Sequence, residues 1–298
     1  AAGNGGAVTL SLNAGSSITT SGAGAHALIA QSIGGGGGIV GDTSVGTRVG
    51  ASGWQDSDAS DSSNGSGDAV TVNVDGNLTT KGANAFGIIA QSIGGGGGLG
   101  GNVDGGFAGS TGVVNQSTGA GGNVTVTHSG VINTAGSGST GIFAQSDGPQ
   151  GSGVVTVNVN GTVVGGSGSE ASGVWVAGNN ANVINVGANG QIAVGSGGSA
   201  VRYDGAAVQQ NKVAFGAADL ARSTLLISNA GVINGDITCQ NGSDIACQVE
   251  NKQTGTLSGA TSYQANIDNA GLVVIGTAGA LDTLTVSGDF TQQSTGTL

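Results

Sequence analysis

This sequence contains no methionine, a single proline, two histidines and two cysteines among 298 residues, and only 8% of it is charged. Each scarcity excludes something. A self-repelling disordered coil carries far more charge and far fewer apolar residues than the 37% found here, chiefly Val, Ile, Leu and Ala. The six basic residues, Arg48, Lys81, Arg202, Lys212, Arg222 and Lys252, are scattered, and the net charge is −11. No basic patch exists to neutralise a phosphate backbone or an anionic leaflet, so neither nucleic acid nor a charged membrane surface is expected as a partner. No apolar run approaches the ~20 residues of a membrane-spanning helix. The opening AAGNGGAV lacks the basic and apolar regions of a signal peptide; an exported chain is expected to have lost its leader already, or to be a piece of a longer one.

What is abundant is glycine, 64 residues of it, without the strict every-third spacing of collagen. Between the glycines one phrase recurs: GAVTLSLNAGSSITTSGAGAHALIAQS (6–32), DAVTVNVDGNLTTKGANAFGIIAQS (68–92) and GNVTVTHSGVINTAGSGSTGIFAQS (122–146). Looser copies follow at 153–178 and 181–205. Each copy holds three short β-prone runs. In VTVNV, Val70, Val72 and Val74 alternate with Thr71 and Asn73, which places three valines on one face and polar groups on the other. One copy cannot bury that face alone, whereas stacked copies can. The expected fold is therefore all-β, a parallel β-helix of roughly ten coils at ~4.8 Å spacing, with Val8, Val70, Val124 and Val155 in one interior column. An up-and-down barrel or sandwich would show two-residue hairpins and no such period.

AQSIGGGGG occurs twice, at 30–38 and 90–98, and the excess length of the first two copies lies just after it. The segments 34–67 and 94–121 are expected to be loops leaving the coil at one corner, glycine permitting the positive φ of departure. Residues 209–223 are the best candidate for a further loop or short helix. The stretch after Val208 reads as shorter coils of the same solenoid, with no polar cap before Leu298, so the native protein is expected to continue. Cys239 and Cys247, in CQNGSDIAC, are close enough for a bridge across a turn, the alternative being two free thiols. A bridge suits an oxidising, extracellular or periplasmic setting.

The phrase [AF]-x-[LI]-I-A-Q-S-I-G-G-G-G-G between VTV strands resembles the passenger regions of large bacterial autotransporters, the type V secreted proteins of Gram-negative bacteria. ALDTLTVSGDFTQQSTGTL (280–298) looks like the segment preceding the folding-helper stretch of such passengers. The resemblance implies a right-handed coil and export through a C-terminal outer-membrane barrel that this chain lacks. It also implies display at the cell surface or secretion. It leaves adhesion, self-association and enzymatic roles open, because a fold hosts many functions.

Chemistry-bearing groups are few. His26, in GAHALIAQS, falls at a coil position filled by Phe86 and Thr140 in the next copies; His128 ends VTVTH and is expected to face solvent. No G-x-S-x-G with following acid and histidine is present, and no Lys follows either glycine run as a phosphate-binding loop requires. A polysaccharide-cleaving β-helix needs clustered carboxylates, and Asp75, Asp204 and Asp236 read as isolated. Arg202 and Asp204 read as a surface contact. Asp56, Asp58, Asp61 and Asp68 break EF-hand spacing and read as a solvated acidic loop, with a weak cation site as the lesser alternative. No catalytic residue, cofactor or metal is assigned. What remains is surface: outward Thr, Ser and Asn rows, and two loop aromatics, Trp54 and Phe107, as contacts for a sugar or partner or as covers for the coil flank. Trp175 reads as core or groove packing. The expected role is adhesion or self-association, against a host-cell or glycan surface or another copy of the chain. A structural stalk and a polysaccharide-active enzyme are the alternatives.

Overall fold

The computed structural model describes residues 3–35, 37–40, 65–95, 97–100, 119–205, 223–240, 246–276 and 283–298. They form a parallel β-helix. Coil 1 consists of β1 (Val8–Leu12), β2 (Ser17–Thr20) and β3 (Leu28–Ile33), and an added strand, β4 (Gly37–Val40), follows it. Coil 2 repeats this as β5 (Val70–Val74), β6 (Asn77–Thr80), β7 (Ile88–Ile93) and β8 (Gly97–Gly100). First strands stack into a nine-stranded sheet A, second strands into an eight-stranded sheet B, and third strands into an eight-stranded sheet C. Among the described residues there are thus eight complete coils and the first strand of a ninth.

Three unbroken apolar columns, one from each sheet, run the length of the interior. Sheet A stacks Leu10, Val72, Val126, Val157, Ile184, Ile227, Val249, Ile267 and Phe290 in register. Sheet B supplies Ile18 through Leu78, Ile132 and Val163 to Val273, and sheet C supplies Leu28 through Ile88, Ile142 and Val174 to Val286. Val8, Val70, Val124 and Val155 align as expected. Burying these rows supplies the main driving force, at about 25 cal/mol per Å² of apolar surface.

The glycine runs do more than release the chain. Gly35 and Gly95 have φ of 87° and 79°, the left-handed turn expected at the corner. Gly34 and Gly94 instead answer crowding: a Cβ at either would overlap the backbone of 65–66 or 119–120, where each excursion returns. β4 and β8 then pair in register as a small parallel sheet lying against β3 and β7. The glycine stretch is therefore itself coil-stacked, and the ends at 65–67 and 119–121 belong to the solenoid: Gly5 donates to the Ser66 carbonyl and Gly67 to that of Ala120. The remainder of the two expected loops, and residues 209–222 of the third, lie outside the described residues.

Candidate functional site

Three kinds of polar array could carry function, and two prove to be scaffold. The first is the Gln-Ser of AQS. Gln31 Nε2 donates to Gln91 Oε1 at 2.5 Å and Gln91 Nε2 to Gln145 Oε1 at 2.9 Å, a ladder outside sheet C. The adjacent serines face inward and staple successive corners. Ser92 Oγ donates to the Asp68 carbonyl and accepts from Gly122 N–H, both at 2.7 Å, and Ser32 and Ser146 repeat the arrangement. The second is a buried asparagine ladder at the other end of sheet A: Asn229 to Asn251 at 2.8 Å, Asn251 to Asn269 at 2.7 Å, Asn269 to Gln292 at 3.0 Å. Asn229 and Asn251 also donate to the carbonyl that opens sheet B's strand in the next coil, and Asn269 donates to the Thr297 carbonyl, so the turn is tied in two directions. Sequence reading missed both. Identical phase of Gln, Ser and the Asn-Ala-Gly turns across copies was the available signal.

The outer face of sheet C carries an aromatic strip. Phe86, Phe143 and Trp175 follow one another up the coils, with ring centroids 6.3 Å and then 4.9 Å apart. The Arg202 guanidinium lies 4.2 Å from the Trp175 ring centroid, a cation–π contact. Asp204, 6% exposed, accepts from Trp175 Nε1 at 2.9 Å and pairs with Arg202 at 3.2 Å; a second Arg202 nitrogen meets Glu170 at 3.1 Å. The Arg202–Asp204 pair is thus no surface contact, contrary to expectation. Both groups flank Trp175 because alternate outward positions of one strand bring them to the neighbouring indole. Burial pushes the Asp204 carboxyl upward, against the opposing pull of Arg202 and the indole N–H. Trp175 packs as expected.

The histidines are likewise structural. His26 Nδ1 accepts the Phe86 N–H at 3.0 Å and its ring meets Phe86 edge-on at 5.3 Å; burial lowers its pKa. His128 corrects the sequence reading: it is fully buried, in register with Val74 and Val159, its two ring nitrogens 3.2 Å from the Val74 and Thr162 carbonyls. The alternation of VTVTH points it inward with the valines. Burial lowers its pKa, outweighing the carbonyls that favour the proton.

Cys239 and Cys247 form the bridge, with Cα atoms 6.1 Å apart, joining the end of sheet C's strand in coil 6 to the start of sheet A's in coil 7. Asp236 caps the next coil, accepting from Thr261 and Ser262 N–H. It begins its strand whereas Asp204 ends one, so the two carboxylates stand at opposite ends of sheet C. Asp68 is exposed and accepts from Ala69 N–H; Asp56, Asp58 and Asp61, with Trp54 and Phe107, lie outside the described residues.

The third array is the outer face of sheet A. Thr9, Thr71, Thr125 and Thr156 align in one column, and Ser11, Asn73, Thr127, Asn158 and Asn185 in the next. Asn185 Nδ2 donates to Asn158 Oδ1 at 2.9 Å and Asn158 Nδ2 to Thr127 Oγ1 at 3.3 Å. All nine side chains reach solvent in part or in full. Among the described residues no three His, Cys, Asp or Glu side chains gather as a metal site, and no helix is long and apolar enough to cross a membrane. No protein-family model, curated protein or solved structure matches this chain.

Proposed function

We propose that this chain is a β-helical passenger segment of the autotransporter kind, displayed at or released from a bacterial surface, that works by adhesion or self-association. The stacked AQSIGGGGG phrase and the fold support the kinship. The observation that carries the role is the outer face of sheet A, where hydroxyl and amide groups recur at the same position coil after coil. Each such group binds weakly. Repetition on a stiff rod turns weak contacts into avidity, because the second engagement is intramolecular once the first has formed. The partner is a host-cell or glycan surface or a second copy, and no cofactor takes part.

The Arg202–Asp204–Glu170 cluster weighs against a polysaccharide-cleaving site, since its groups are engaged with one another and with Trp175. The test is display of the intact passenger on cells. Clumping or surface attachment is expected, and Thr71→Glu, Thr125→Glu and Asn158→Glu together should abolish it by placing three like charges in adjacent coils. Unchanged clumping in that variant, with the protein still displayed, would favour a stalk that only carries another module outward.

A further inference from the structure

The identity of the partner can be narrowed from the same face, and this step rests on the adhesive reading above. Three properties of sheet A's exterior bear on it. First, its two central columns hold no ionisable group from coil 1 through coil 6: Val183 and Leu226 continue the threonine column, Asn185 and Ser228 the other. Charge enters with coil 7, where Glu250 pairs with Lys252, and continues in coil 8, where Asp268 accepts from Gln293 at 2.6 Å. In a chain of net charge −11, a neutral strip selects against polyanions at its margins and offers them no cation within. Second, no aromatic side chain stands on those columns; the described aromatics outside the solenoid are those of sheet C. A ligand here is held by its hydroxyl edges and not by ring stacking.

Third, the groups form a lattice. Neighbouring coils repeat at ~4.8 Å and alternate residues along a strand at roughly 6.6 Å, so donors and acceptors recur at fixed pitch in both directions. The lateral bonds from Asn185 to Asn158 and on to Thr127 hold the amides in one rotamer before any ligand arrives. Preorganisation of that kind reduces the ordering cost of binding. An extended polymer whose own hydroxyls repeat along its length matches such a strip; a compact ligand does not.

We propose that the outer face of sheet A over coils 1 to 5 binds a neutral, linear polysaccharide laid along the rod axis. Thr9, Thr71, Thr125 and Thr156 present one row of hydroxyls to it, and Asn73 and Asn158 hydrogen-bond from the adjoining row. The strip spans on the order of 19 Å, room for a short run of sugar units.

The test is electrophoresis of the purified chain through native gels containing hydroxyethyl cellulose, a neutral glucan derivative, or polygalacturonate, an acidic polymer. Retardation is expected in the first only. Thr71→Val, Thr125→Val and Thr156→Val combined keep shape and β-propensity while removing three hydroxyls, and should weaken retardation more than tenfold. The matching sheet B variant, Thr19→Val, Thr79→Val and Thr162→Val, should leave it unchanged. Circular dichroism checks the fold, and Thr125→Val alone, expected to weaken retardation severalfold, replaces the triple variant if that fails to fold. No retardation by the neutral polymer, equal losses from both faces, or stronger retardation by the acidic polymer overturns the proposal. If displayed cells still clump through sheet A while the neutral gel has no effect, the partner assignment falls and the adhesive role stands. If clumping is also insensitive to sheet A, both fall.

Discussion

The first three coils and the last four solve one problem at opposite corners. In coils 1 to 3 the polar staples are Ser32, Ser92 and Ser146, where sheet C hands over to sheet A and, in coils 1 and 2, the glycine-led excursions leave. In coils 6 to 9 they are Asn229, Asn251, Asn269 and Gln292, where sheet A hands over to sheet B. Ser92 Oγ bonds the entries of two successive coils but meets no other serine, whereas each amide bonds the amide of the next coil, so the amides join into a continuous ladder. The difference teaches where each half is held: at the passage from sheet C to sheet A in the first, at the passage from sheet A to sheet B in the second.

Breaking the two staples separately tests that contrast. Asn251→Ala removes a buried amide bonded to Asn229, Asn269 and the Leu272 carbonyl. It should cost about 3–4 kcal/mol, with the next amides losing partners too. Ser92→Ala orphans only the Asp68 carbonyl and the Gly122 N–H, at about 1–2 kcal/mol. Midpoints of urea unfolding compare the variants; a larger loss for Ser92→Ala would reverse the assignment. Midpoints suit this fold better than extrapolated energies, because repeat arrays depart from two-state behaviour.

Between those two losses falls the disulfide, which closes a corner in the second half without a serine staple. Cys239→Ser with Cys247→Ser should lower stability by roughly 2–3 kcal/mol, the closure entropy of so short a loop. Hydrogen exchange should rise chiefly in coils 6 and 7, and a uniform rise along the rod would contradict a local role.

The smallest effect is pH dependence in the first half, which holds both histidines. Folding lowers the pKa of His26 and of His128 by burial. Below about pH 6.5 the unfolded chain takes up protons that the folded chain refuses, so stability falls as pH drops and levels off below the folded pKa. Asp204, raised by burial, acts oppositely: in the window above its ordinary range, acidification protonates the folded state first and favours it. His128→Val, matching Val74 and Val159 in its column, should flatten the loss below pH 6.5 in melting temperatures read across pH. An unchanged slope would exonerate His128 and leave His26.

Legibility followed periodicity. VTVNV announced its own inner and outer faces, and three near-identical phrases announced stacking, so the columns through Val72 and Leu78 could be written down in advance. His128 was misread because its histidine chemistry was weighed over its phase, although it stands two residues beyond Val126 on the inward side. Arg202 and Asp204 were misread because the indole they flank lies in the preceding coil. The Gln and Asn ladders were visible as repeated letters but not as bonds.

The sequence by itself determined that this chain stacks in register, because alternating valines cannot be buried by one copy and glycine-marked corners repeat with them. Only the tertiary structure decided which residues meet. Gln91 bonds to Gln145, 54 positions away, and Asn229 to Asn251, only 22 away, because the intervening lengths are set by excursions and turns that local preference does not measure.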